Sequence, residues 1–150
     1  MTTQPRYVTP KHSTDLFSMA VGRLTKLGIS VYGSRVLYVK GRKTGEWRTN
    51  PVNPLNFDGD RYIVAPRGNT QWVRNLRAAD GEGELHVGRR TERFTATEIG
   101  DEAKPAILRA YLKRWKWEVG VFFDGVDAKA PEEDLRRIAP GYPVFRITAR

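Results

Sequence analysis

The chain has 150 residues, 39% hydrophobic and 29% charged, a composition that excludes a disordered polymer and suits one domain around a single core. Cysteine is absent and histidine occurs only at His12 and His86, which excludes disulfides and thiolate chemistry and argues against a zinc site. The formal net charge of +9 asks for an anionic partner: nucleic acid, an acidic membrane surface, or a small ligand rich in phosphate or carboxylate.

Residues 1–13 are polar, contain Pro5 and Pro10, and are expected to form a flexible N-terminal arm. They lack the apolar centre of a signal peptide, and no stretch of the chain approaches the roughly 20 apolar residues that span a bilayer. The expected compartment is therefore the cytoplasm. Residues 14–150 are read as one domain. Ser13 or Thr14 caps a helix in which Leu16, Phe17, Ala20, Val21, Leu24 and Leu27 share a stripe opposite Arg23 and Lys26, and Gly28 ends it. Two readings of residues 14–27 stay open: a helix packed on the domain, or a basic, apolar-faced helix that rests on a membrane or covers a lipophilic substrate.

From Val36 to Thr97 the pattern is mainly β. Val36–Lys40 is rich in β-formers, and Thr49–Phe57 is extended, with prolines at 51 and 54. Asp58-Gly59 signals a hairpin into Arg61–Pro66. NTQWVRNLRAAD, residues 69–80, predicts a short helix capped by Thr70, with Trp72, Asn75, Leu76 and Ala79 on one face. Glu84–Arg89 and Arg93–Ile99 alternate as a hairpin across residues 88–90. A longer helix begins between Asp101 and Pro105, with Ile107, Leu108, Tyr111, Leu112 and Trp115 as its buried stripe. Pro131, the acidic residues 132–134 and the basic pair Arg136 and Arg137 match the dipole of a short helix. Tyr142–Thr148 is a final strand. About six strands with helices at their edges give a mainly β, α+β domain, a small barrel rather than a doubly wound parallel sheet.

The turn GRKTGEWR, residues 41–48, carries Arg42, Lys43 and Arg48. Cations clustered on a tight turn repel one another unless an anion sits among them. Gly41 and Gly45 let backbone N–H groups approach such an anion, Thr44 adds a hydroxyl, and Arg42 or Arg48 can grip it bidentately. The turn is therefore read as a phosphate or carboxylate site, with a merely solvated basic turn as the alternative. No Walker A loop and no G-x-G-x-x-G opening a helix is present. APRGN, residues 65–69, leaves backbone groups free at a strand end. Trp72 and Asn75 place an aromatic slab and an amide on one helical face.

Taken in order, GRKTGxxRxNP, IVA, WxxNLRA and the ELHVG strand resemble the deazaflavin-dependent nitroreductase family, which uses coenzyme F420. The likeness runs from about Val36 to Ile99 and continues more loosely to the C-terminus. It implies a split β-barrel of the flavin-reductase-like kind and a coenzyme whose phospholactate and oligoglutamate tail is strongly anionic. By this resemblance Arg42, Lys43, Thr44, Gly45 and Arg48 hold the tail and phosphate. Leu37 and Tyr38 fall on the strand beneath the coenzyme, and Asn50 and Pro51 match the family's Asn-Pro. Val64, Ala65, Pro66 and Arg67 meet the ring and side arm, and Trp72 and Asn75 match the coenzyme-contacting helix. In YLKRWKWEVGVFF, residues 111–123, Tyr111, Trp115, Trp117 and Phe122 are candidates to face the substrate, with core packing as the competing role. His12 and His86 are assigned to surface or packing roles.

The implied activity is hydride transfer from reduced F420 to an electrophilic small molecule such as a quinone, an activated enone or a nitroaromatic. The competing readings are a flavin mononucleotide enzyme of the same barrel type, a basic nucleic-acid-binding module, and a membrane-peripheral lipid or quinone binder without catalysis.

Overall fold

The computed structural model describes Arg6, Tyr7 and residues 35–150, and the helix expected over residues 14–27 lies outside them. The first two strands, β1 (Arg35–Lys40) and β2 (Trp47–Val52), form a hairpin. Next come β3 (Leu55–Phe57), β4 (Asp60–Val64), α1 (Gln71–Ala78), β5 (Glu82–Val87) and β6 (Arg90–Glu98). A 3-10 turn (Asp101–Ala103) leads into α2 (Lys104–Val119), followed by a second 3-10 turn (Gly120–Phe123), α3 (Glu132–Ile138) and β7 (Val144–Ala149).

The strands make one sheet in the order β2-β1-β5-β6-β7-β4-β3, and every neighbouring pair is antiparallel. The two edge strands, β2 and β3, are consecutive in the chain and are joined by Asn53 and Pro54 alone. Three peptide units span at most about 11 Å, so this link draws the edges of a seven-stranded sheet together at one end. The sheet therefore rolls into a split barrel without ladder bonds across the seam. The expected extended run from Thr49 to Phe57 is two strands on opposite edges, because proline at 54 and the buried Asn53 break the ladder between them.

Alternation sorts side chains into two cores. Leu37, Val39, Val52, Ile63, Ala65, Leu85, Phe94, Phe145 and Ile147 fill the barrel, together with Val73 and Leu76 of α1. On the outer face, Tyr62, Val64 and Val144 meet the apolar stripe of α2 and Leu135 of α3. Ile107, Leu108, Tyr111, Leu112 and Trp115 of that stripe are all buried, as its 3.6-residue spacing predicts.

The seam link is fixed to α2. Trp115 Nε1 donates to the Pro54 carbonyl at 3.3 Å, and Asn53 Nδ2 donates to Glu118 Oε2 at 2.9 Å. Burial raises the Glu118 pKa, while the Asn53 hydrogen bond and Arg114 oppose the shift. A carboxyl whose pKa is raised on folding adds stability at pH values below its unfolded pKa. That contribution is lost as pH rises through the folded value. Glu118→Gln keeps an acceptor for Asn53 and cannot ionise. Urea denaturation across the weakly acidic to neutral range is expected to show the native protein losing stability relative to this variant as pH rises. A difference that is constant with pH would refute the assignment.

Candidate functional site

The β1–β2 turn is closed by Gly41 N–H donating to the Glu46 carbonyl at 2.8 Å and Gly45 N–H donating to the Gly41 carbonyl at 2.8 Å. Gly45 has φ +77°, a conformation that glycine adopts without strain. A Cβ built at Gly41 would lie 3.4 Å from Arg48 Nε and from Thr44 Oγ1, so both side chains lie close over the turn. Thr44 Oγ1 accepts from Glu46 N–H at 3.2 Å.

Helix α1 fixes how this turn stands. Asn75 is only 5% exposed, and its Oδ1 accepts from the Arg42 backbone N–H at 3.1 Å and from Arg42 Nη1 at 2.8 Å. Arg42 Nη2 donates to Gln71 Oε1, one helical turn earlier, at 3.0 Å. A buried amide oxygen without partners would cost about 1–3 kcal/mol, and Arg42 satisfies it twice. Of the two arginines able to grip an anion bidentately, Arg42 is thus engaged by the helix, whereas Arg48 and Lys43 are exposed and make no ion pair with the described residues. One carboxylate, Glu46, stands among the three cations. The turn keeps a positive excess that faces solvent.

The remaining coenzyme candidates divide by depth. Leu37 lies in the barrel core, and Tyr38 points to the opposite face, stacked on His86 with ring centroids 3.7 Å apart. His86 has a packing role. Asn50 Nδ2 donates to the Pro51 carbonyl at 2.9 Å. Val64 and Ala65 are buried where β4 ends, and Pro66 and Arg67 are half-buried in the loop that leads into α1. Trp72 is half-buried and tilted against Phe145, with 6.0 Å between ring centroids.

Thr70 stands at the N-cap of α1 with extended backbone, but its side chain makes no capping hydrogen bond, and its hydroxyl is buried without a partner. The expected cap is corrected here. The start of α1 is instead fixed from outside, through Asn69, whose Oδ1 accepts from Arg77 Nη1 at 2.8 Å. Arg77 in turn grips both Glu98 oxygens, at 2.8 and 2.6 Å.

The substrate candidates are more dispersed. Tyr111 and Trp115 are each 1% exposed in the outer core, the packing role weighed for them from the sequence. Burial and the Glu118 charge hold the Tyr111 phenol well above its ordinary pKa, against a hydrogen bond from Asn53. Trp117 is exposed on α2, and Phe122 is half-buried in the second 3-10 turn.

Sequence reasoning missed Gln71 and Arg6. Gln71 precedes Asn75 by four residues, a spacing that puts both on one helical face, but its partner lies on a different element. Arg6 and Tyr7 fall in the stretch expected to be an arm, and both are tied into the domain. Tyr7 bridges Gly68, and Arg6 donates to carbonyls of separate loops.

Other cations cluster away from the turn. A depression of about 860 Å³ is lined by Arg35, Arg61, Arg90, Arg93 and Arg150 together with Glu84 and Glu92. Burial and the neighbouring Arg90 and Arg61 lower the Arg35 pKa, against Glu92. Arg61 pairs with Glu92, and Glu84 meets His86 at 2.8 Å and Arg93 at 3.7 Å, so much of this charge is locally balanced. Among the described residues, no helix is long and apolar enough to cross a membrane.

Comparison with known proteins bears on the same residues. The family model described as F420H(2)-dependent quinone reductase matches residues 15–129. An F420-H2 dependent reductase of known structure is 18% identical, with a TM-score of 0.50 over 77% of this chain and 94% of its own. A domain-swapped dimer is 17% identical, with a TM-score of 0.54 over 91% of this chain and 99% of its own. A pyridoxinephosphate oxidase family protein from Clostridium acetobutylicum, related to general stress protein 26 of B. subtilis, is 17% identical, with a TM-score of 0.50 over 78% and 75%. At these identities the likeness is one of fold, the split barrel. No curated protein matches the sequence. With its cationic turn and six of its seven strands inside a match that spans well over half its length, the chain belongs to the F420H(2)-dependent quinone reductase family and is an F420-dependent oxidoreductase.

Proposed function

We propose that the protein passes hydride from reduced F420 to a quinone, with activated enones and nitroaromatics as further acceptors of the same electrophilic class. The observation that carries this reading is the β1–β2 turn. Arg42 is tied to Asn75 and Gln71, while Lys43 and Arg48 stand exposed with no counter-ion among the described residues. This excess of positive charge fits the phosphate and glutamate groups of the coenzyme tail. Bound F420 supplies a two-electron hydride and little one-electron or oxygen chemistry.

The chain's own task is then to bind and orient. Arg48, with its planar fork uncommitted, gives paired donors to a phosphate, and Lys43 gives a mobile point charge. Gly45, with open space beside it, lets the backbone approach an anion closely. Trp72 lies at the entrance to α1 and offers a stacking surface to a planar ring, beside the half-buried Arg67. The strand end before it is less open than its sequence suggests, since Ala65 N–H donates to the Pro143 carbonyl and the Ala65 and Pro66 carbonyls accept from Gly68 N–H and Arg6.

Lys43→Ala combined with Arg48→Ala is expected to weaken coenzyme binding by about 2 kcal/mol or more, on the order of 30-fold, with the effect shrinking as salt rises. Titration followed by deazaflavin fluorescence measures it, and unchanged affinity would refute the clamp. Asn75→Leu is expected to weaken binding as well, because Arg42 loses the acceptor that sets the turn.

The activity itself is tested anaerobically, with reduced coenzyme and a panel of quinones, enones and nitro compounds. The expected result is turnover of at least one class, with quinones first. Saturable binding of flavin mononucleotide with none of F420, or no turnover of any acceptor, would overturn the proposal.

A further inference from the structure

We propose that Arg6 is a positioning residue that straps the 65–69 loop and α1 into the shape the coenzyme requires, an inference that rests on the function proposed above. The side chain is received by a built site. Its Nη1 donates to the Pro66 carbonyl at 2.7 Å and, more weakly, to the Gly141 carbonyl at 3.4 Å, while Nη2 donates to the Phe122 carbonyl at 2.7 Å. The guanidinium lies over the Tyr142 ring, 4.2 Å from its centroid, and the Tyr142 hydroxyl donates to the same Phe122 carbonyl. The Arg6 carbonyl accepts from Asn69 N–H at 2.6 Å and from Asn69 Nδ2 at 3.3 Å.

Two glycines leave the room that this requires. A Cβ at Gly68, where φ is +87°, would collide with the Arg6 carbonyl, and a Cβ at Gly141 would lie 2.9 Å from Arg6 Cδ. One side chain thus joins three segments: the loop before α1, the 3-10 turn carrying Phe122, and the approach to β7. The first and last of these otherwise meet where Ala65 N–H donates to the Pro143 carbonyl at the end of the β4–β7 pairing. Only a planar fork reaches carbonyls in separate segments while stacking on a ring.

The strap continues to the cationic turn without a gap. Arg6 fixes Pro66 and Asn69, Asn69 is bound by Arg77 of α1, and Gln71 and Asn75 of the same helix hold Arg42. The hydroxyl of Thr70 does not cap this helix, so the loop that Arg6 holds sets where α1 begins. Released, the loop would shift both the backbone at 65–69 and the helix that orients the turn.

The test compares Arg6→Ala, Arg6→Lys and Arg136→Ala in the full chain. The last removes a surface arginine that pairs, among the described residues, with Glu132 alone, and controls for net charge. Amide hydrogen exchange reads the loop without any coenzyme, and fluorescence titration reads F420 affinity in the folded fraction. Arg6→Ala is expected to speed exchange at residues 67–70 at least ~10-fold and to raise the F420 dissociation constant at least ~10-fold, with Arg136→Ala changing neither. Arg6→Lys keeps the charge and the contact with Tyr142 but not the fork, and is expected to follow Arg6→Ala in both readouts; it serves alone if the alanine variant does not fold. Loop exchange within twofold of the native protein in the Arg6 variants overturns the strap. Faster exchange with unchanged affinity overturns its role toward the coenzyme. If the native protein binds no F420, the proposed function and the coenzyme role fall together, while exchange still decides whether Arg6 shapes the loop.

Discussion

The arrangement of the site depends on one buried amide oxygen. Asn75 Oδ1, held inside the barrel mouth by α1, receives both the backbone and the side chain of Arg42. That contact turns a flexible hairpin tip into a fixed one and separates its cations by role. All three are exposed, but Arg42 is tied to the helix and anchors the turn, while Lys43 and Arg48 are left uncommitted. Without this acceptor the three charges would spread to reduce their repulsion, and solvent would screen what remained.

The anchor works because α1 is itself fixed. Val73 and Leu76 are fully buried and plug the barrel, which sets the depth of the helix. Asn69 and Arg77 set its start and rotation. The Arg77–Glu98 pair is half-exposed and adds little stability by itself, but it orients the guanidinium that holds Asn69. Apolar burial supplies the stability here, and directional hydrogen bonds supply the geometry.

The barrel makes this arrangement possible. Asn53 and Pro54 join the two edge strands, so the sheet must roll, and α2 and α3 then cover one outer flank while α1 closes the inside. Coenzyme chemistry of the F420 kind asks the protein for placement more than for reactive side chains. A rolled sheet that carries the proposed binding groups on a turn, a loop and a helix end meets that demand.

Much of this was legible in the sequence. The strand and helix periods located most elements, the stripe of α2 was read residue by residue, and the cluster of cations between glycines marked the turn, because these are local properties of chain chemistry. Only the tertiary structure decided which cation is tied down, since Asn75 and Arg42 lie 33 residues apart and meet through the packing of α1 on the hairpin. It likewise decided that Tyr111 and Trp115 are core, that Thr70 does not cap, and that Arg6 belongs to the domain. A sequence fixes which groups a chain can offer; the partners of a buried donor or acceptor depend on which distant segments are brought to it, and periodicity carries no information about that.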